Sequence, residues 1–198
     1  MMRSCHLRSR KNFLTHFDYS QSPPNRCNSP CPSPGIRMTI FGGSMSSRLF
    51  TEVRERRGLC YSISASHQSL EDTGMLVISS GLKKTAFREA IEVIEKELKK
   101  TREKLLAPDE IKRAKDHVRG KLMLSLEDSA NQAEWYGKQW MFQKKFLSPE
   151  ARLKQIEAVT AHKIKQVANH IFHPQKMARA VIGPYKSKTE VEQYLKMN

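Results

Sequence analysis

The 198-residue sequence has few cysteines and no long apolar segment. Its four cysteines, Cys5, Cys27, Cys31 and Cys60, are too few and too scattered for the framework of a small disulfide-bonded domain. No apolar run approaches the roughly 20 residues that a membrane-spanning helix needs. These absences predict a soluble protein with no membrane partner. They also favour a reducing compartment such as the cytoplasm.

Acidic residues are scarce relative to basic ones. The chain has 35 lysines and arginines against 20 acidic residues, which gives a formal net charge of +15. Such a balance would permit binding to nucleic acid or to an acidic surface. However, the basic residues lie mostly on the outer faces of predicted helices, mixed with glutamates, and no nucleic-acid-binding motif accompanies them. No nucleic-acid partner is therefore predicted, and a basic binding protein is the weaker alternative.

Residues 1–35 have the composition of a disordered, basic tail. The segment from Gln21 to Pro34 is rich in proline and serine, and such a composition disfavours a helix or a central strand. The first 17 residues are basic without an acid, but no amphipathic face develops, so a mitochondrial transit peptide is the weaker interpretation. Cys27 and Cys31 could supply half of a metal site, but no second pair follows. The predicted domain spans residues 36–198.

The hydrophobic pattern predicts an α+β domain. A short strand segment at 36–41 leads into a glycine loop and a helix, followed by strands near 59–66 and 75–79. Five helices, a strand at 177–182 and a terminal helix complete the order. Early strands, a run of helices and one late strand indicate a mainly antiparallel sheet with helices packed on one face. Four aromatic residues of the helix that starts near Ser129 are interpreted as core: Trp135, Tyr136, Trp140 and Phe142.

The most informative segment runs from Phe41 to Ala65. Gly42 and Gly43 permit a tight approach to a helix whose inward stripe is expected to include Met45, Leu49 and Val53. Arg57-Gly58 is typical of a helix end. From there the period changes to two, which predicts a strand with one set of residues on a common face: Leu59, Tyr61, Ile63 and Ala65.

This segment resembles the second half of the pitrilysin/insulinase family of zinc metallopeptidases, which includes the mitochondrial processing peptidases. The resemblance rests on Gly-Gly-Ser-Met-Ser-Ser-Arg-Leu-Phe and on Val-Arg-Glu-Arg-Arg-Gly-Leu-Cys-Tyr-Ser, and it extends from Phe41 to Pro184. It implies the half-domain fold of that family. Family members enter the glycine loop from a strand and a long helix, so the domain is expected to be truncated at its N-terminus.

The family hydrolyses peptide bonds with one zinc ion, held by an inverted His-x-x-Glu-His motif and a later glutamate. None of the seven histidines begins such a motif. His170 and His173 lie three residues apart, but no carboxylate joins them at the motif's spacing. The resemblance therefore implies no metal site and no cofactor in this chain, and it places the zinc in a partner half.

By the same resemblance, Arg54 and Tyr61 are candidate catalytic residues. They keep the family's interval of four residues, a leucine and one more residue, with Arg54 as a substrate clamp and Tyr61 as a hydrogen-bond donor to the transition state. Two alternatives remain open. Arg54 could pair with Glu52 or Glu55 on the surface, and Tyr61 could be buried on the sheet face it shares with its neighbours.

The glycine loop is the candidate substrate-binding segment. Its predicted contact residues are Gly42, Gly43, Ser44 and Met45. The resemblance suggests a loop that touches substrate, and an ordinary helix entry explains the glycines equally well.

The resulting hypothesis is a C-terminal, substrate-binding half of a zinc metalloendopeptidase, inactive alone. It would act on peptides after pairing with a zinc-bearing half of the same family or with a homologous dimer partner. The alternative is a non-catalytic structural or scaffold subunit of the processing-peptidase type.

Overall fold

The computed structural model describes residues 12–18, 33–69, 74–173, 177–183, 185 and 187–195. The strands are β1 (Asn12–Asp18), β2 (Cys60–Ser69), β3 (Gly74–Leu82) and β4 (Met177–Ile182). The α-helices are α1 (Ser33–Phe41), α2 (Phe87–Glu103), α3 (Pro108–Ser125), α4 (Ser129–Gln143), α5 (Pro149–Glu157), α6 (Ala161–Ile171) and α7 (Lys188–Leu195). A π-helical turn covers Phe50–Glu55.

The strands form one antiparallel sheet in the order β2-β3-β1-β4. Strand β3 alternates between buried and half-buried residues along its whole length, because successive side chains of a strand point to opposite faces. Its buried residues Leu76 and Ile78 belong to one cluster with Phe87 and Ile91 of α2 and Ala168 of α6. The predicted α+β class, with helices packed on an antiparallel sheet, is confirmed.

Strand β1 corrects the expectation that residues 1–35 form a disordered tail. This strand lies inside the sheet, where Asn12 is opposite both Gly81 of β3 and Ile182 of β4. The proline-rich composition applies to residues 21–34 and does not describe the residues that precede them. Asn12–Asp18 contains neither proline nor glycine, and its pairing depends on strands distant in sequence. The Cys27 and Cys31 pair lies outside the described residues.

Helix α1 corrects the second expectation for this region, because residues 36–41 are helical rather than extended. The helix joins two cores: Met38 and Phe41 pack in the cluster under the sheet, whereas Ile36 and Ile40 pack in a second cluster between helices. The spacing of four residues from Ile36 to Ile40 places both on one helical face. A strand and a helix therefore precede the glycine loop.

The second cluster is built by α1, α3, α5 and α6. Ile111 and Ala114 of α3 and Ile156 of α5 are buried there with Ile164 of α6. This cluster holds the helical layer to α1, and through α1 to the glycine loop.

The aromatic residues of α4 correct the core interpretation. Trp140 and Phe142 are 52% and 63% exposed, and Tyr136 is also exposed. Helix α4 buries none of its residues. Aromatic spacing on a helix shows which residues share a face, but it does not show whether the chain itself covers that face.

Among the described residues, no helix is both long and apolar enough to span a bilayer.

Candidate functional site

The helical segment after the glycine loop is shorter than predicted. Residues 42–47 form a loop, in which the Ser47 amide donates to the Ser44 carbonyl at 3.1 Å, and helical backbone begins at Arg48. Leu49 and Val53 are fully buried as expected, but Met45 is 76% exposed. Met45 therefore does not belong to the inward stripe, because it precedes the helix.

Gly42 and Gly43 have a structural reason in this loop. The Gly42 carbonyl accepts a hydrogen bond from the Ala65 amide of β2 at 3.2 Å, and a Cβ on Gly42 would lie only 2.5 Å from that nitrogen. The Gly43 amide donates to the Met38 carbonyl, and its Cβ would lie 2.8 Å from the same oxygen. Both glycines thus permit a close backbone approach, and the loop covers part of the outer edge of β2.

The outer side of the loop is open to a ligand. Met45 projects into solvent and Gly43 is exposed, whereas the Ser44 hydroxyl donates to the Thr39 carbonyl at 3.3 Å. Of the four predicted contact residues, Gly42 is buried and Ser44 is tied to α1. Gly43 and Met45 are the two that present an exposed surface.

Arg48 anchors the loop to the helical layer, and the sequence patterns did not reveal it. Its Nε and Nη2 donate to both carboxylate oxygens of Glu110 at 2.5 and 2.8 Å, and its Nη1 donates to the Thr101 hydroxyl at 3.3 Å. Two parallel bonds between a guanidinium and a carboxylate fix orientation as well as distance. The partners are 62 and 53 positions away, so no local spacing could have indicated the contact.

Arg54 is exposed and lies over the ring of Phe50, with 4.8 Å between its Cζ atom and the ring centroid. Arg54 forms no ion pair with Glu52, so that alternative is wrong. Glu52 instead accepts from Arg56 at 2.5 Å and from Arg57 at 2.7 Å. The hydrogen bond from Arg57 and the charges of both arginines lower the pKa of Glu52. The guanidinium of Arg54 makes no ion pair within the described part of the chain.

Tyr61 is 86% exposed because the strand bulges at its position. Cys60 is opposite Leu82 and Ser62 is opposite the adjacent Gly81, so Tyr61 is the extra residue of a β-bulge. A bulge shifts the alternation of side chains and redirects one of them. The predicted common face is therefore wrong for Tyr61: Leu59, Ile63 and Ala65 are buried, and Tyr61 is not.

The backbone between Arg54 and Tyr61 is closely held. The Gly58 amide donates to the Arg54 carbonyl and the Leu59 amide to the Val53 carbonyl, both at 3.0 Å, and Gly58 adopts a φ of 61°. Burial raises the pKa of the neighbouring Cys60 thiol, while a hydrogen bond from Ser80 and the positive charge of Arg54 oppose that increase. The Arg54 and Val53 carbonyls thus hold the turn that leads from the helical segment into the start of β2.

The glycine loop contacts β2 four residues beyond Tyr61, at Ala65. A strand rises by about 3.3 Å per residue, so roughly 13 Å of strand separates the two. An exposed phenol, an arginine without a carboxylate partner and an exposed loop thus lie along one edge of the sheet. Such an arrangement can donate hydrogen bonds to an oxyanion and to backbone carbonyls.

The described residues contain no group of three histidine, cysteine, aspartate or glutamate side chains that could hold a metal ion. An open cleft of about 410 Å³ lies elsewhere, between α4 and its neighbours. It is lined by Trp135, Gln139, Leu147 and Arg152 among others, and it includes none of the predicted site residues.

The described residues form a four-stranded antiparallel sheet packed against helices, with the glycine loop held to its β2 edge. Residues 36–118 match the family model described as the peptidase M16 inactive domain. An uncharacterized zinc protease of Mycobacterium tuberculosis is 33% identical over 190 residues, covering 96% of this chain and 43% of the relative. The chain belongs to the M16 peptidase family, that is, the pitrilysin/insulinase family, and corresponds to its inactive domain.

Solved structures show the same fold. The peptidase M16 inactive domain from Pseudomonas fluorescens matches 89% of this chain and 42% of its own, with a TM-score of 0.74 at 19% identity. A chain of Complex III₂ from Candida albicans matches 88% of this chain and 43% of its own, with a TM-score of 0.73 at 16% identity. The chain thus spans less than half the length of these three proteins.

Proposed function

We propose that this chain is the substrate-binding half of an M16 zinc metalloendopeptidase, and that it requires a zinc-bearing half for proteolysis. The observation that carries the proposal is the exposed Tyr61 on its bulge, together with an exposed Arg54 that makes no ion pair among the described residues. A bulge that turns a tyrosine out of the sheet loses a buried contact, and this loss is accounted for if the hydroxyl serves a ligand.

The chemistry follows from the charge that develops during peptide hydrolysis. Attack of water on the scissile carbonyl places negative charge on the carbonyl oxygen, and a positioned phenol that donates to this oxygen stabilises it. Zinc, when bound by the partner half, activates the water and polarises the carbonyl. The guanidinium of Arg54 can donate to substrate backbone carbonyls or to a substrate carboxylate through its planar fork.

The substrate is proposed to be an extended peptide. The separation of roughly 13 Å between Tyr61 and the glycine loop corresponds to about four residues of extended chain. A peptide that lies along the edge of β2 would thus place one residue near Tyr61 and another near Met45. Gly43 and Met45, the exposed residues of the Gly42–Met45 segment, would bind the substrate at a distance from the scissile bond.

The proposal is tested by reconstitution. The partner is a separately expressed half-chain chosen by its His-x-x-Glu-His motif, and the substrate is a mixture of fluorogenic peptides. This chain alone should bind no stoichiometric zinc and should cleave nothing, whereas the mixture should cleave peptides much faster than the partner alone. Stoichiometric zinc and hydrolysis by this chain alone would contradict the proposal.

Arg54 is tested in the same mixture. Arg54→Gln should raise KM at least tenfold, because it removes a contact that holds the substrate. Arg88→Gln is the matched control, since Arg88 is an exposed arginine of α2 that pairs with Glu92. An unchanged KM for Arg54→Gln would remove the assigned role.

A scaffold subunit is the second candidate. The likeness to a chain of Complex III₂ shows that the fold occurs in a multisubunit assembly. If this role is correct, the complex with the zinc-bearing half should form, but its peptidase activity should be insensitive to substitutions of Arg54 and Tyr61.

A further inference from the structure

Helix α4 is well formed, yet none of its residues is fully buried in the described part of the chain. The Asp128 carboxylate accepts hydrogen bonds from the Ala130 and Asn131 amides at 2.7 and 3.1 Å, which caps the N-terminus. Lys144 ends the helix in a left-handed conformation with a φ of 53°. None of the 15 residues between these caps is buried. Most helices in proteins are stabilised by an apolar face packed against the rest of the fold, and α4 lacks such burial.

One side of α4 interacts with its own chain. The Trp135 indole donates to the Leu147 carbonyl at 3.3 Å, and the Gln139 side chain exchanges hydrogen bonds with the Leu147 backbone. Residues 131, 134, 135, 138 and 139 line the cleft beside α5. At 100° per residue these positions share one side of the helix.

The opposite side is apolar and uncharged. It consists of Ala133, Tyr136, Gly137, Trp140 and Met141, which fall within an arc of roughly 140°, and we call it the α4 outer face. All five residues are exposed, Trp140 by 52% and Met141 by 67%. Phe146 extends the face, because its ring stacks on Trp140 with centroids 5.4 Å apart and meets Tyr136 edge-on at 6.0 Å. Contiguous apolar surfaces of this kind mark interaction sites.

Gly137, within this face, provides a second observation. Among the described residues, a Cβ at this position would meet no atom within 4 Å beyond its chain neighbours and its own helical backbone. A glycine inside a helix costs about 1 kcal/mol relative to alanine, and no contact with another described residue explains its presence here. Among aromatic neighbours, a glycine leaves a shallow depression into which a partner's backbone or side chain can approach closely.

We propose that the α4 outer face is the docking surface for the zinc-bearing M16 half, and that the face of that half is apolar with an acidic rim. The inference rests on the proposed function, since it names the surface through which the two halves pair. Aromatic side chains that surround a small residue are typical anchors of protein interfaces.

Two observations favour this occupant. The Mycobacterium tuberculosis relative continues for more than half of its length beyond the matched part, so relatives hold this half-domain together with a large additional segment. The charge of the surroundings indicates an acidic partner: Lys144 lies 5.7 Å from the centroid of the Trp140 ring, and Lys145 follows it. No ion pair within the described part of the chain uses either lysine.

A second copy of this chain is a poorer fit. In a symmetric dimer the same surface patch contacts its equivalent, so the lysines beside Trp140 from both copies would enter one interface. The net charge of +15 on each copy adds to this repulsion. An anionic membrane would also match the lysines and aromatic rings. Binding to phosphatidylserine vesicles distinguishes it from the zinc-bearing half.

The test measures the Kd between this chain and the half-chain that carries the His-x-x-Glu-His motif. Gly137→Gln places a long side chain on the α4 outer face, at a position where its Cβ meets no neighbour within 4 Å, and it should weaken binding at least tenfold. Gly120→Gln is the matched control, because Gly120 is a helical glycine of α3 that also has nothing within 4 Å of its Cβ position. Trp140→Ser should weaken binding as Gly137→Gln does, and Tyr61→Phe should leave the Kd unchanged.

The possible outcomes separate this inference from the proposed function. A complex that forms equally well with Gly137→Gln overturns the docking surface and leaves the proposed function standing. If Gly137→Gln abolishes the complex but Tyr61→Phe leaves its peptidase activity unchanged, the docking surface is supported and the catalytic role of Tyr61 is contradicted. If the two halves form no complex, both proposals are wrong. Self-association or binding to phosphatidylserine vesicles that Gly137→Gln abolishes would replace the proposed occupant.

Discussion

Tyr61 shows what a residue's sequence position can and cannot determine. Its interval from Arg54 identified the residue, but the period of two placed it on the buried face. The bulge reverses that placement, since Ser62 rather than Tyr61 is opposite Gly81 of β3. A bulge depends on how the partner strand pairs, and a single strand's sequence does not contain that information.

At the residue scale, the contribution of Glu52 to the free energy of unfolding can be tested. Its pKa is lowered below the ordinary value of 4.5, first by the hydrogen bond from Arg57. A carboxyl group with a lowered folded-state pKa stabilises the fold above its unfolded-state pKa, and this stabilisation is lost as the pH falls through the folded-state value. Glu52→Gln should therefore lower the free energy of unfolding by about 0.5–1 kcal/mol at pH 7, a modest value because solvent screens the pair.

Urea denaturation at pH 7 and at pH 3 measures this effect, and the difference between Glu52→Gln and the wild type should shrink in acid. Glu55→Gln is the control, since Glu55 is an exposed neighbour and Glu52 holds both Arg56 and Arg57. An equal loss of stability at both pH values would contradict the assigned ion pairs.

Gly42 is a second case at the residue scale, because its lack of a side chain allows the loop backbone to approach β2 closely. Gly42→Ala would bring a Cβ within 2.5 Å of the Ala65 nitrogen and 2.8 Å of the Ala65 Cβ. Since a backbone atom cannot move aside, we expect a loss of about 1–3 kcal/mol in the free energy of unfolding, measured by urea denaturation. Gly137→Ala, which meets open space, should instead raise it by about 0.5–1 kcal/mol. A neutral Gly42→Ala would contradict the close approach.

At the scale of elements, α1 and α4 show the limits of pattern and composition. The sequence predicted α2, α3, α6 and β4 well, because their apolar residues recur at regular spacing over many residues. Helix α1 is short, and its role in joining two cores depends on contacts with distant helices. For α4 the spacing predicted a helix, but its aromatic residues lie on two sides: Trp135 is half-buried beside the cleft, whereas Tyr136 and Trp140 are exposed on the opposite side.

The Arg48–Glu110 contact links two such elements, the glycine loop and α3. Glu110→Gln would leave Arg48 with a neutral partner in a half-buried site whose exposed side-chain fractions are 23% and 18%. We expect the free energy of unfolding to fall by about 2 kcal/mol, because two hydrogen bonds between charged groups are weakened. Chemical denaturation measures the loss. Glu103→Gln should change it little, because Glu103 is exposed and 3.9 Å from Lys99. Equal effects would show that the contact does not anchor the loop.

At the scale of the whole molecule, the α+β class and the family followed from sequence, whereas the extent of the domain did not. The proline-rich segment suggested that everything before residue 36 was a tail, yet β1 lies between β3 and β4. The candidate site was predicted residue by residue through the family resemblance. The contact between Arg48 and Glu110 that supports the site, and the exposure of the α4 outer face, could be recognised only in the three-dimensional structure.

The central claim is that Tyr61 serves a reaction whose zinc is held by another half. The most direct test is the single-turnover rate of peptide cleavage by the reconstituted pair, with Tyr61→Phe compared with wild type. Loss of one donor to the developing oxyanion should lower the rate by about 100-fold or more, with the Kd between the halves unchanged. The control phenol is Tyr185→Phe, because Tyr185 packs its ring 5.9 Å from that of Phe87 of α2. A Tyr61→Phe pair that cleaves at the wild-type rate would contradict the claim.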